Sequence, residues 1–225
     1  MAGTSSGARL NITQLVLVPA LITLAITILR LVGELQQWSP ALFGTGAAGG
    51  AGAIVGIAWL PIIFGPYFAL KLASVDLGPA SKGKAIGLAL AGVPVMFLGG
   101  FVVFKGFTSG ATPILILGYL IVFSSAFVAR VGWQALGTTL LAYAFAARIP
   151  VLIVMYIAMQ AGWKTHYSAI DPSLANAPFW RQFLGLAVLP QMFFWVGYTV
   201  VVGTLLGSIV AAVVRRGKTA VQVAA

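Results

Sequence analysis

Long apolar runs alternate along this chain with short polar or glycine-rich breaks. Apolar runs of membrane-crossing length recur at 14–33, 53–73, 85–104, 113–129, 143–162 and 192–214. About 20 such residues, wound as an α-helix, cross a hydrocarbon core ~30 Å thick. Backbone in lipid must satisfy its own hydrogen bonds, so each run is predicted to be a helix. The predicted fold is all-α, a polytopic integral membrane protein built as a bundle of about six transmembrane helices, several of them proline-kinked. A disordered cytoplasmic N-terminus at 1–13 and a basic cytoplasmic tail at 215–225 flank one membrane domain, 14–214. The longest polar connections, Glu34 to Gly52 and Lys164 to Gln182, are too short to fold alone.

Two runs, 134–162 and 183–214, are too long for a single crossing. In the first, Gln134 to Tyr143 reads as a lead-in to the crossing. In the second, Pro190-Gln191 divides a surface helix from the last crossing. The run at 14–33 is read as a retained helix, because its apolar core exceeds that of a signal peptide and no small-residue cleavage site follows.

Prolines fall in or at the end of every predicted crossing. Pro61 and Pro66 lie five apart, and Pro150 and Pro190 sit in the overlong runs. Each removes a backbone donor and frees carbonyls, so kinks are expected, and freed carbonyls that line a cavity can bind polar solutes. Six helices read as three plus three also match the arrangement of inverted-repeat transporters, although no residue-level similarity between the halves is visible.

Composition supports the bilayer reading. Hydrophobic residues make up 60% and charged ones 7%, where a soluble domain carries about a quarter charged. The net charge of +10 comes from basic residues scattered singly at span ends, which suits topology and anionic headgroups rather than nucleic acid. With cytoplasmic termini, the inner set is Arg9, Lys71, Lys82, Lys84, Arg130, Arg215, Arg216 and Lys218; the outer set is Arg30, Lys105, Lys164 and Arg181. That bias favours a multi-pass protein with both termini cytoplasmic, expected in a bacterial inner membrane, and Trp38, Trp163, Trp180 and Trp133 fall at interfaces.

Glycine motifs are weak. Gly44-x-Gly46-x-x-Gly49 has no strand before it, and Gly78 to Lys84 is followed by Ala85 rather than the hydroxyl that holds magnesium, so neither predicts nucleotide binding. Gly203-x-x-x-Gly207, with Thr204 and Ser208, predicts a face for close helix contact, with a second copy or a membrane-complex partner as its occupant. Membrane lipids are the other expected partner.

Little chemistry is available. There is no cysteine, one histidine and three carboxylates, so no catalytic set, cofactor or metal is predicted; a metal would have to join His166 to Asp171 and backbone oxygens. The candidate intramembrane polar site is Arg148, Arg30 and Glu34. Arg148 is placed one to two turns inside the cytoplasmic end of its helix, where it snorkels, pairs or lines an anion path, with Asp76 the better partner than Glu34. Arg30 and Glu34 form an i,i+4 pair that closes the first helix. The candidate external loop site is His166, Tyr167 and Asp171, read as an interfacial anchor, a pH-sensitive lid or a partner surface. Eighteen helical residues rise about 27 Å, so Arg148 and His166 are expected at opposite faces. The function expected is transport or channel-type movement of a small solute or ion; the alternatives are a non-catalytic subunit or scaffold of a membrane complex, and a lipid-modifying enzyme.

Overall fold

A computed structural model describes residues 11–45 and 55–223, with side chains to Val214. The glycine motif Gly44-x-Gly46-x-x-Gly49 from Gly46 onward, and most of the predicted disordered N-terminus, lie outside the described residues. Among the described residues every regular element is helical: α1 (Ile12–Leu35), α2 (Pro40–Phe43), α3 (Leu60–Ala73), α4 (Lys82–Ser109), α5 (Thr112–Gly132), α6 (Gln134–Ala161), α7 (Phe179–Phe183) and α8 (Trp195–Val223). Five helical stretches are long and apolar enough to cross a membrane, and α3 is a shorter apolar helix. The protein is thus a multi-helix membrane bundle.

Local sequence sets several ends. Asn11 caps α1 by accepting from the Thr13 amide, and Ser81 caps α4 by accepting from that of Lys84. Gly110 and Gly162 close α4 and α6 with φ of 66° and 64°, a left-handed conformation that glycine adopts without Cβ strain. Pro19, Pro66, Pro94 and Pro150 lie inside helices.

The overlong runs differ from the expectation. α6 is one continuous 28-residue helix, about 42 Å long, so Gln134 to Tyr143 and the crossing that follows it share a single rod. Pro190 does not divide a surface helix from a crossing either. α7 passes through two π-helical turns, Leu184–Val188 and Pro190–Phe194, directly into α8, giving a 36-residue apolar stretch from Phe179 to Val214. The wider turns, closed by Leu189 N–H to the Leu184 carbonyl and Trp195 N–H to the Pro190 carbonyl, accommodate a proline ring without ending the helix. α8 also continues to Val223, past the predicted boundary of the tail. In the other direction, the predicted span 53–73 contains a helix of only 14 residues, about 21 Å, short of the ~30 Å core. Pro61 lies in its first turn, where a missing N–H costs nothing, and so starts the helix rather than kinking it.

Close packing fixes the arrangement. α4 and α5 form an antiparallel hairpin in which a Cβ on Gly106 would meet Leu115 and one on Gly132 would meet Ala85. α3 and α8 run parallel: a Cβ on Gly65 would lie 2.4 Å from the Gly203 carbonyl, and one on Gly207 would meet Gly65 and Ala69. The Gly203/Gly207 face is therefore occupied within the chain, which corrects its assignment to an outside partner. Beneath it, Phe64, Phe68 and Tyr143 stack edge to face in the main core with Leu60, Leu72, Leu136 and Leu140. Trp133, at the α5–α6 junction, donates its indole N–H to the Leu77 carbonyl at 2.8 Å and so ties that end of the bundle to the α3–α4 loop.

Candidate functional site

Glu34 sits in the last turn of α1, 2% exposed. Its Oε1 accepts from Arg30 Nε at 2.8 Å, the i,i+4 pair legible in the sequence. Burial changes the weight of that pair: an exposed one contributes little, whereas removing one partner of a buried one strands a charge. The loop after α6 completes the cluster. His166 donates its backbone N–H to Glu34 Oε2 at 2.8 Å, and its Nδ1 lies 2.5 Å from Oε1. Thr165 and Ser168 bracket the single turn His166–Ser168 with reciprocal capping bonds, which fixes the ring over the carboxylate. Arg30 also donates through Nη2 to the Gly44 carbonyl at 3.3 Å, so α1 holds two loops at one end of the bundle.

Burial holds the His166 imidazole below its ordinary pKa and Arg30 acts in the same direction, although Glu34 pulls the other way. A neutral ring bonded to a carboxylate must donate from Nδ1, which makes Nε2 its acceptor atom. The Tyr167 phenol is raised above its ordinary value, first by burial. Asp171 does not join this cluster. It is exposed, accepts from the Ser173 amide and hydroxyl at 2.8 and 2.5 Å, and caps the turn Pro172–Leu174. Those bonds lower its pKa. The carboxylate that His166 uses is Glu34, contributed by the first helix.

Tyr167 turns inward. Its hydroxyl donates to the Thr27 carbonyl of α1 at 3.3 Å, and its ring packs with Val151, Met155 and Phe183. One helical turn further along α1, Thr23 Oγ1 and Tyr143 Oη lie 2.9 Å apart. These groups make a buried polar seam between α1 and α6, from the Glu34 cluster to the middle of the bundle.

Arg148 stands near the middle of α6 and is 4% exposed. The expected position near one end is thus corrected, because α6 begins at Gln134 and the added turns put Arg148 about 20 Å from either terminus. It does not pair with Asp76, which is exposed in the α3–α4 loop. Its Nη1 donates to Gln191 Oε1 at 3.3 Å, its Cζ lies 4.7 Å from the Trp195 ring centroid, and its buried Nε has no hydrogen-bond partner. Gln191 donates onward to Met155 Sδ at 3.6 Å. Gln191 belongs to the second π-helical turn and Trp195 begins α8. Of the chain's three carboxylates, Glu34 is held by Arg30 and His166, and Asp76 and Asp171 are exposed in loops. Among the described residues Arg148 therefore has no counter-ion.

The structure thus joins Arg30, Glu34 and His166, links Tyr167 to them through the seam, and leaves Asp171 outside. Pro150 follows Arg148 within α6, Pro190 opens the turn that carries Gln191, and Pro66 lies in α3. Sequence reasoning missed Gln191, Tyr143, Thr23 and Thr27; the available signal was an uncharged polar side chain inside an apolar run. Among the described residues no group of three or more His, Cys, Asp or Glu side chains could hold a metal. Comparison of the chain with protein-family models, curated proteins and solved structures finds no match.

Proposed function

We propose that this is a small membrane transport protein that moves a small anion, with Arg148 as its binding point. The observation that carries this reading is a buried guanidinium with, among the described residues, no counter-ion, one long hydrogen bond and an unpartnered Nε. An uncompensated charge at mid-bilayer costs about 2.5–3.5 kcal/mol even on insertion scales. The face of Trp195 offsets about 2 kcal/mol of such a cost when desolvated. An anion at Nε would supply the rest. The π-helical turns beside Arg148 are a place where the last helix can change its winding and admit a solute, since such turns concentrate at functional sites.

In this reading both termini are cytoplasmic. Lys71, Lys82, Lys84 and Arg130 lie on the cytoplasmic face, and Lys105, Lys164 and Arg181 on the outer face with the Glu34–His166 cluster. That cluster clamps the loops over the outer end of the seam.

The test is anion flux into proteoliposomes, run with chloride, acetate and inorganic phosphate. The wild-type chain should accelerate the flux of at least one, and Arg148→Gln should abolish it while leaving the melting temperature in detergent within a few degrees. Full flux in a folded Arg148→Gln variant overturns the role of Arg148. A second reading, a subunit of a membrane complex, draws on Phe97, Phe101 and Phe104, an aromatic row along α4 that is 58–70% exposed. Wild-type chain inert toward all three anions, together with a stoichiometric partner in mild detergent, would favour it.

A further inference from the structure

A second site lies away from Arg148, at the end of the bundle where α4 turns into α5. A half-open cavity of about 490 Å³ runs between that hairpin and the stretch from Ser173 to Leu189. Its volume falls within the range of single small-molecule sites, about 300–1,000 Å³. The lining changes along its length. At one end are Gly110, Thr112, Ser173 and the exposed Arg181, at the level where α4 has ended and α5 begins. Toward the other end Ile116 and Leu189 lie one or more helical turns inside their elements, and the wall is apolar throughout that depth. Leu184 and Gly185 come from the first π-helical turn, whose wider winding forms one side. Gly185 faces Leu174 across that side, where a Cβ would make an ordinary 3.4 Å contact with the leucine methyl.

The Arg181 side chain has no carboxylate or hydrogen-bond partner among the described residues. The nearest acid in the sequence, Asp171, is engaged by Ser173. The cavity therefore presents a cation without a side-chain partner among the described residues, beside the exposed Trp180, together with a largely apolar lining from the α4–α5 hairpin and the first π-helical turn. An amphiphile with a negative head and a hydrocarbon tail matches both features; a free anion would use only the cation, and a neutral hydrophobe only the apolar lining.

We propose that this cavity binds one anionic phospholipid, its phosphate on Arg181 and an acyl chain along Ile116 and Leu189. The site is independent of the transport reading and of which face of the membrane it occupies. The arginine fork suits a phosphate diester, and charged partners strengthen such bonds in a partly desolvated rim.

The experiment is native mass spectrometry of the full chain in mild detergent, titrated separately with phosphatidylglycerol and phosphatidylcholine. Wild type should retain one phosphatidylglycerol preferentially. Arg181→Gln, a change at an exposed position, should weaken that retention roughly tenfold and erase the preference. Ile116→Trp, which fills the cavity from a position already partly exposed, should lose both lipids while Arg181 remains. Inorganic phosphate at millimolar concentration should not displace the bound lipid. Equal retention of the two lipids by wild type, unchanged retention in both variants, or displacement by phosphate alone would each overturn the proposal.

Discussion

Glu34 shows how burial converts an ordinary residue pair into a structural commitment. Its spacing from Arg30 is visible in the sequence, and such a pair is worth only a few tenths of a kcal/mol where it is exposed and more where it is dehydrated. In the bundle its carboxylate accepts from Arg30 and from both the backbone and the ring of His166. Glu34→Gln keeps the volume and removes the charge, leaving Arg30 buried without its partner. Unfolding in detergent should become easier by about 3–5 kcal/mol. The double variant Arg30→Met with Glu34→Leu should recover much of that loss, since it removes both charges together. A Glu34→Gln protein as stable as wild type would contradict this account. Arg148, a cation of the same kind as Arg30, contrasts with it in that its own partners are neutral. Its presence was legible from the sequence as a charge inside an apolar run. Its neighbours were not, because Gln191 is forty-three positions away and meets it only through the packing of α6 against the last helix.

At the scale of elements, the features that depended on local pattern were read well and those that depended on contact were not. Proline positions predicted kinks, and at Pro190 a division of the run; Pro190 instead opens a π-helical turn within a continuous helix, because neighbouring helices hold the chain on its course. The small-residue face of α8 was legible as a contact surface, yet its occupant is α3 of the same chain. No motif of four residues specifies which helix fills it. Gly65 lies at the closest approach, with a would-be Cβ 2.4 Å from the Gly203 carbonyl, and the obstacle is backbone rather than a movable side chain. Gly65→Ala should therefore separate α3 from α8 and cost about 1–3 kcal/mol of stability, the usual penalty for overpacking. Gly83→Ala, where a Cβ meets nothing within 4 Å, serves as the control and should leave the detergent melting temperature within a few degrees. If both variants melted alike, the α3–α8 contact would not be the close one described.

For the whole molecule, the contacts order the two ends of the bundle. Trp133 binds the α3–α4 loop at one end, and Arg30, Glu34, Gly44 and His166 meet at the other. Charge asymmetry between those ends gives the proposed sidedness, and the absence of cysteine from the chain makes it simple to test. A single cysteine at Lys84 and another at Lys164, each in intact cells, should label oppositely with a membrane-impermeant maleimide. Lys164→Cys should react at once and Lys84→Cys only after permeabilisation; the reverse pattern would invert the topology.

The sequence by itself determined that this protein is an all-helical membrane bundle and where its few ionisable groups lie along the chain. Those properties follow from run length and from the need of each backbone segment to satisfy its own hydrogen bonds in lipid, and both are local. The tertiary structure alone decided which groups meet: His166 with Glu34 rather than Asp171, Arg148 with Gln191 rather than Asp76, and Gly207 with Gly65 rather than another chain. Such pairings depend on the depth and rotation of one helix against another. Packing sets those quantities, and an extra helical turn, such as those at the start of α6, moves a side chain by 5.4 Å without altering its place in the sequence.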